Sequence, residues 1–535
     1  MPAPSLNPLH TFPRPHGPTE AGRAYWLGLL GFFLVSFLLN YHPHDFPFFY
    51  HVDEAYKAQQ VAERQRGFTH PLLLLNLTQM VHDVWGGGDS RQIAAEAGRL
   101  VSATAGAGSV TIAFAIGWLL AGALGGYLSG LALLFCPQLY LLSHFTKEDS
   151  VLTLGWLTVM AMLYLLHRQH GKIDLIATGM ACGLLISSKY IGILLLPAAL
   201  LVALEGTWPA SLTRFRRLAI LIFFAAGTFV VANAPLLLQA STSLDRLTDE
   251  FRHLAQGHGG ISPYESPSYY GEAFYAQNGF WWIPAAALGW IITIRQKAFR
   301  FPTLVILGAG LVYLFLLLIS HKQAETYYLP LNAMVHTYAG IGIALTARAL
   351  LKNRHRSWMA LPVACLLAVP PLAADARLLS EHWRLFATDS LAALREYVAV
   401  ALPAEAKILQ DRRVQLPTPD GDRKAWVPEG RPWPEIVQAR YAGEWGTLEE
   451  LRAEGFTHVA VAWADYYRFV LEGAKPAEAL REEYEALRQF YLTLPEEAQL
   501  VWESAPADNM YFWPGLQLFD IRPAKDSREP AAPES

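Results

Sequence analysis

Two pairs of adjacent carboxylates stand out in a chain that is otherwise poor in charge. Asp53-Glu54 lies in His51-Val52-Asp53-Glu54-Ala55-Tyr56, and Glu148-Asp149 in His144-Phe145-Thr146-Lys147-Glu148-Asp149. Each follows an apolar stretch, so each falls where hydrocarbon would meet water. Ionisable groups at that level are costly, and they mark either a site or a plain polar loop. Around the first pair stand His42, His44, Phe48, Phe49, Tyr50 and His51, odd company for a solvated turn. A carboxylate there can take a proton from a hydroxyl nucleophile. The same two acids would also complement the dipole in the first turn of a helix over 55–66, and the residues leave both readings open.

The second pair follows Lys147. Two adjacent hard oxygen donors suit Mg²⁺ or Mn²⁺, and the lysine suits a phosphate; a solvated turn between helices is the bland alternative. Further along, Gly257-His258-Gly259-Gly260 precedes Tyr264, Glu265, Tyr269, Tyr270 and Glu272. Glycines beside a histidine let backbone approach a ligand closely, and the imidazole could bind a metal or steady an oxyanion. Lys189 and Lys322 stand at predicted helix ends, Lys322 within His321-Lys322 ahead of Tyr327-Tyr328-Leu329-Pro330. One such lysine reads as snorkelling. Two beside acidic loops fit a lipid phosphate head group. Carboxylates, lysines and a glycine-flanked histidine on one aqueous face are what a reaction between a lipid-borne phosphate ester and a polar acceptor needs.

The elements that must hold these groups are mostly membrane helices. Of 535 residues, 53% are hydrophobic and 16% charged, with mean hydropathy +0.22. That composition excludes disorder and argues against a water-soluble enzyme. Apolar runs able to cross ~30 Å of hydrocarbon recur from about 25 to 371. Lys and Arg mark the cytoplasmic loops: Arg14/Arg23, Arg168/Lys172, Arg214/Arg216/Arg217, Arg295/Lys297/Arg300 and Arg348/Lys352/Arg354/Arg356. Threading between them gives about eleven helices, near 24–40, 96–118, 122–142, 150–167, 174–188, 190–204, 217–238, 280–294, 301–320, 327–348 and 358–373. Lys189 splits the run 174–204 into two short helices in this reading; one long tilted helix would break the alternation. Both acidic pairs then share the outer side with loops 41–95, 143–149, 239–279 and 321–326. Within the first loop, 55–66 and 71–85 have the spacing of helices lying on the membrane surface. Gly122, Gly126 and Gly130 read either as close helix packing or as a tight turn.

Beyond 376 no spanning run remains, and the charge turns acidic, roughly −9 over 376–535 against roughly +5 before it. The expected division is a membrane part at 1–374 and an extracytoplasmic α/β domain at 375–535, with strands over 406–410, 458–462 and 516–521. Cys136, Cys182 and Cys365 sit in apolar stretches, spaced for neither a metal nor a disulfide framework. The first apolar run has no small-residue cleavage site and reads as a retained helix.

Taken in order, the Asp53-Glu54 loop, "SHFTKED", "SSKYIGILLLP", "GHGG" and "SHKQAETYYLPL" make the stretch 24–370 resemble the GT-C class of polyprenyl-phosphate-dependent glycosyltransferases. The nearer resemblance is to glycosyltransferase family 39, which includes protein O-mannosyltransferases and lipid A aminoarabinose transferases. The resemblance implies an inverting hexosyl or pentosyl transfer from a polyprenyl-phosphate sugar to a glycan, lipid or protein hydroxyl, at the extracytoplasmic face of a bacterial inner membrane. It implies Asp53 as general base with Glu54 beside it. Glu148, Asp149 and His258 become partners for a divalent metal, Mg²⁺ or Mn²⁺. Lys147, Lys189, Lys322, Tyr327 and Tyr328 become the donor-phosphate site. No β-trefoil follows, so a protein acceptor is not implied, and nothing points to nucleic acid. A polytopic transporter or flippase, and a polymerase or ligase taking oligosaccharide from a diphosphate carrier, are the competing classes. A transporter would place its ionisable groups near the bilayer midplane.

Overall fold

The computed structural model describes residues 22–42, 44–46, 51–67, 70–205, 211–256, 261–262, 266–322, 324–351, 359–387, 389–418, 427, 430–471, 474–476, 478–504 and 515–523. Helix α1 (Arg23–Tyr41) leads into two shorter helices, α2 (Val52–Ala62) and α3 (Leu73–Val84). Then come α4 (Arg91–Leu134), α5 (Pro137–Ser143), α6 (Glu148–Gln169), α7 (Lys172–Ser188), α8 (Leu195–Leu204) and α9 (Ser211–Ala232). The helical part closes with α10 (Ala234–Leu238), α11 (Ala240–Gln256), α12 (Ser266–Arg295), α13 (Arg300–Leu318), α14 (Leu329–Leu350) and α15 (Ala360–Ala387). Among the described residues, six helices are long and apolar enough to cross a membrane: α1, α4, α6, α9, α13 and α15.

Helix α4 is two limbs. Gly122 takes φ +65, a left-handed value that glycine adopts freely, and the limbs fold back on each other there. A Cβ on Gly117 would meet the Gly125 carbonyl, and one on Gly126 the Phe114 carbonyl. In a straight helix those pairs would lie ~12 and ~18 Å apart. The glycine cluster therefore makes a tight turn, and its close packing serves that turn. The second limb stops before Cys136-Pro137, since the residue ahead of a proline disfavours helix. Gly279, at φ +59, divides α12 likewise, and the limb beyond it packs closely on α14 through Gly289 and Gly342. The chain breaks at Lys189, which is extended (φ −159, ψ 138), followed by a 3-10 turn over Tyr190–Leu194. This agrees with the two-helix reading. The stretch 239–279, expected as a loop, is largely the helix α11 and the start of α12. Its amphipathic spacing accounts for the difference.

Past α15, α16 (Ser390–Ala401) precedes a five-stranded mixed sheet. Its strands are β2 (Lys407–Gln410), β3 (Glu435–Gln438), β4 (His458–Ala462), β6 (Gln499–Glu503) and β7 (Leu516–Asp520), in the order β3-β2-β4-β7-β6. The first three neighbours run parallel; β7 and β6 are antiparallel additions. Side chains alternate between faces. Leu409, Val459, Val461 and Phe519 point toward α17 (Leu448–Ala453), α18 (Trp463–Val470) and α19 (Arg481–Glu497). Ile408, Ala460, Ala462, Leu516 and Leu518 share the other core with α16 residues and with Tyr140, Phe145 and Phe386 of the helical bundle. One sheet face thus rests on the bundle. A second tie is the antiparallel pair β1 (Ile261–Ser262) and β5 (Lys475–Pro476), joining the stretch after α11 to the C-terminal region.

Candidate active site

The wall of the site is α2 packed on α4 and on the turn 144–149. His51 caps α2, its Nδ1 accepting from the Asp53 amide at 3.1 Å, so the ring proton resides on Nε2. Burial, then the charge of Lys147, holds the His51 imidazole well below its usual range, against the pull of Asp53. Its ring lies 5.2 Å from that of Phe145.

Consecutive helix positions point ~100° apart, so the two acids of the first pair part company. Glu54 is fully buried and Arg99 on α4 is 1% exposed. They form a bidentate pair, Nε to Oε1 2.9 Å and Nη2 to Oε2 2.8 Å, and Oε1 also accepts the Thr146 amide at 3.0 Å. Arg99 donates further to the His44 carbonyl at 2.7 Å and stacks on Phe46 at 3.6 Å. Glu54 thereby ties α2, α4 and the 144–149 turn together. Asp53 faces outward, its side chain 37% exposed, and is paired with Lys147. Burial pushes the Asp53 carboxyl up, but Lys147, His51 and Lys57 together hold it well below the usual carboxylate range.

The second acidic pair also divides. Glu148 accepts from Lys57 Nζ at 2.6 Å, and Lys57 bonds the Thr146 carbonyl at 3.1 Å as well. Asp149, fully buried, accepts from Lys189 Nζ at 3.0 Å. Its Oδ2 has no hydrogen-bond partner among the described residues. Lys189 lies 4.4 Å over the ring of Tyr327, and Lys322 5.8 Å from the same ring. Tyr270 fixes the Lys322 segment, donating to the Lys322 carbonyl at 2.6 Å. Tyr328 is instead in the bundle core against Tyr270 and Phe274. Lys189, Lys322 and Tyr327 therefore converge, and Asp149-Glu148 links them to the Asp53-Lys147 pair. His258 lies outside the described residues.

Lys57, Arg99 and Arg413 were not anticipated, and His51 was marked only as part of the surroundings of the first acidic pair. Lys57 had a signal, standing one turn after Asp53 and Glu54 on α2. Arg99 had one too, a charge inside an apolar run. Arg413 belongs to the turn after β2 and is held by Asp465, Nε to Oδ1 3.2 Å. Its charge reaches His51, and the adjoining Val414 shares an apolar cluster with Phe145.

No group of three His, Cys, Asp or Glu that could hold an ion occurs among the described residues, and both second-pair carboxylates already face lysines.

A chain of this architecture has the fold of the GT-C glycosyltransferases, as the sequence resemblance implies. Within it, residues 70–234 match the family described as dolichyl-phosphate-mannose-protein mannosyltransferase. That segment contains Arg99, Lys147, Glu148, Asp149 and Lys189 but not Asp53. The chain is similar to ArnT from Cupriavidus metallidurans bound to undecaprenyl phosphate, at 16% identity and TM-score 0.51, over 94% of this chain and 98% of that one. The same enzyme in the apo state matches at 17% and 0.51, over 92% and 98%. The apo oligosaccharyltransferase of Archaeoglobus fulgidus matches at 10% and 0.51, over 90% and 80%. No curated protein matches the chain by sequence.

Proposed function

We propose that this protein is an inverting glycosyltransferase that moves a sugar from a polyprenyl-phosphate donor to an acceptor hydroxyl. The observation that carries the reading is the division of labour among its acids. Three of the four are buried in ion pairs, while Asp53 alone keeps an exposed face and pairs with Lys147, two residues before the Asp149 that holds Lys189 of the Lys189, Lys322 and Tyr327 cluster.

In this reading Asp53 accepts the acceptor's O–H proton as the oxygen attacks the anomeric carbon. The C–O bond to phosphate breaks with inversion, and the phosphate leaves with the bonding electrons. Lys189 and Lys322 take up the developing charge, an effect enlarged where water is excluded. Tyr327 lines the phosphate position. A phosphate already leaves well, so the donor side needs no strong acid, unlike a glycosidase. Lys147 has two roles in sequence. It holds Asp53 ionised in the resting site; when it turns to the donor phosphate, Asp53 becomes a stronger base. Glu54 positions the wall that carries Asp53. The reaction as written needs no Mg²⁺ or Mn²⁺, and no step is routed through the Glu148, Asp149 and His258 set. Residues 1–374 would form the catalytic membrane part, and 375–535 the domain above it. In this reading both the site and that domain lie on the extracytoplasmic side of a bacterial inner membrane, which the alternation of basic loops supports.

The test compares purified wild type with Asp53→Asn on a panel of polyprenyl-phosphate sugars and envelope acceptors, with EDTA or Mn²⁺. Donor consumption by wild type that vanishes in Asp53→Asn supports the reading. Undiminished turnover in Asp53→Asn removes Asp53 as base, and EDTA sensitivity would restore a metal to the second pair. Product mass separates one added sugar from a transferred oligosaccharide.

A further inference from the structure

Helices α5, α12 and α14 meet at one amide inside the bundle. Asn332 on α14 is fully buried. Its Nδ2 donates to Gln138 Oε1 at 2.7 Å and to Gln277 Oε1 at 2.8 Å, and its Oδ1 accepts from Asn278 Nδ2 at 2.6 Å. Both amide hydrogens and the amide oxygen are thereby engaged. The Asn332 carbonyl accepts from His336 Nδ1 at 2.8 Å. One turn further along α14, His336 Nε2 stands 3.5 Å from Asp375 Oδ2 of α15, which accepts from Trp282 Nε1 at 2.8 Å. The network therefore grips α12 on both sides of its bend at Gly279.

Apolar side chains would fill this space with less desolvation of polar groups, so the amides call for another reason. The other close contacts of α14 are smooth. A Cβ on Gly342 would meet the Ala285 carbonyl, one on Gly289 the Tyr338 carbonyl, and one on Gly340 the Ser129 backbone. Such faces approach closely but lack the side-chain ridges that fix axial position. A buried asparagine fixes register at some cost in stability, because only one alignment pairs its amide.

Each helix held by Asn332 leads to the lysine cluster. Helix α14 begins directly after Tyr327-Tyr328. The limb of α12 ahead of Gly279 carries Tyr270, whose hydroxyl donates to the Lys322 carbonyl at 2.6 Å. Helix α5 runs from Gln138 into the turn before Asp149, and Asp149 holds Lys189 at 3.0 Å. Lys189 thus comes from the α5 side, and Lys322 and Tyr327 from the α12 and α14 side. We infer that Asn332 is a positioning residue for the donor phosphate: it pins α14 and the limb 266–278 against α5, and so holds Lys322 and Tyr327 opposite Lys189. The inference rests on the proposed assignment of those three residues to the donor phosphate.

The experiment makes three measurements on the full-length protein in detergent: equilibrium binding of decaprenyl phosphate, the folded half-life at fixed temperature, and the rate of tryptic cleavage after Lys322, mapped by mass spectrometry. N332L should bind at least fivefold more weakly, be cut at least threefold faster and lose half-life, since Gln138 and Asn278 are left without their partner. N332L/Q138L/N278L strands no buried amide among these three, so it should recover half-life while binding stays weak; it also carries the test should N332L fail to fold. T303V, which removes a 2.8 Å hydrogen bond to Tyr164 elsewhere in the bundle, should shorten the half-life and leave binding and cleavage unchanged. Binding by N332L within twofold of wild type would overturn the positioning role. So would a triple variant whose binding returns with its half-life, because the network would then be structural only. A wild type that binds no decaprenyl phosphate would overturn the donor role together with the proposed function, and faster cleavage of N332L would in that case uphold the pinning alone.

Discussion

Replacing Glu54 should damage the protein in a different way from replacing Asp53, although the two are adjacent. Glu54→Ala strands Arg99, 1% exposed, with its guanidinium uncompensated. Breaking a buried pair from one side costs about 3–5 kcal/mol. The Thr146 amide also loses its acceptor, a further ~1–3 kcal/mol where it stays buried. The two losses overlap, since the freed turn can move, so about 4 kcal/mol is the working figure, a factor of roughly 10³ in the local equilibrium. Asp53→Asn removes a partly exposed pair, worth about 1 kcal/mol or less, and removes the base, worth about 10²–10⁴ in rate. The assay is the half-life of the folded protein in detergent at fixed temperature, alongside turnover. Asp53→Asn should keep the half-life and lose turnover; Glu54→Ala should lose both. Glu54→Leu with Arg99→Leu should recover part of the half-life, because an apolar replacement leaves no orphaned charge. A Glu54→Gln protein with wild-type half-life and turnover as low as Asp53→Asn would refute the positioning role and make Glu54 catalytic.

Lys147→Gln should move the acid limb of kcat/KM to higher pH. Asp53 works ionised, burial raises its carboxyl, and Lys147 is the largest influence holding it down, so its removal lets protonation occur sooner as pH falls; an unmoved limb counts against the pairing. Lys189→Met should raise the donor KM and shorten the folded half-life, since Asp149 is left buried and unpaired, whereas Lys322→Met should raise the donor KM alone; steady-state kinetics with a thermal-inactivation series separates them. Asp411→Ala should destabilise the C-terminal region by about 3 kcal/mol, at about 1 kcal/mol for each hydrogen bond lost. Asp411 accepts from the Ala442 and Ala462 amides at 2.7 and 3.1 Å and from Tyr491 at 2.8 Å; limited proteolysis of the region reads the effect.

What the sequence made visible follows from range. The three strands it revealed, over 406–410, 458–462 and 516–521, are neighbours in the sheet interior, buried on both faces and so written as apolar runs. The two it hid, β3 and β6, are the outer strands, where Glu435, Gln438, Gln499 and Glu503 interrupt the pattern. At the site, Asp53, Lys147, Lys189, Lys322 and Tyr327 were marked by residue type and position at helix ends. Which of the two adjacent acids would face outward was not, because that depends on Arg99, 45 residues away. Likewise Glu148 finds its lysine 91 residues back. A metal pairing and a lysine pairing look the same in sequence, since both ask only for carboxylates at a helix start.

The docking of the sheet on Tyr140, Phe145 and Phe386 has a consequence for how the molecule is made. Phe145 belongs to the turn that carries Lys147 and Glu148, and the strands that cover it are translated only after the last helix of the bundle. Domains fold as units during synthesis, N-terminal ones first. A nascent chain would therefore insert its spans and bring the charged residues together while the turn beneath them still lacked its cover. Competence would arrive late, with the sheet, so that an unfinished chain in the membrane holds the parts of the site without its final rigidity.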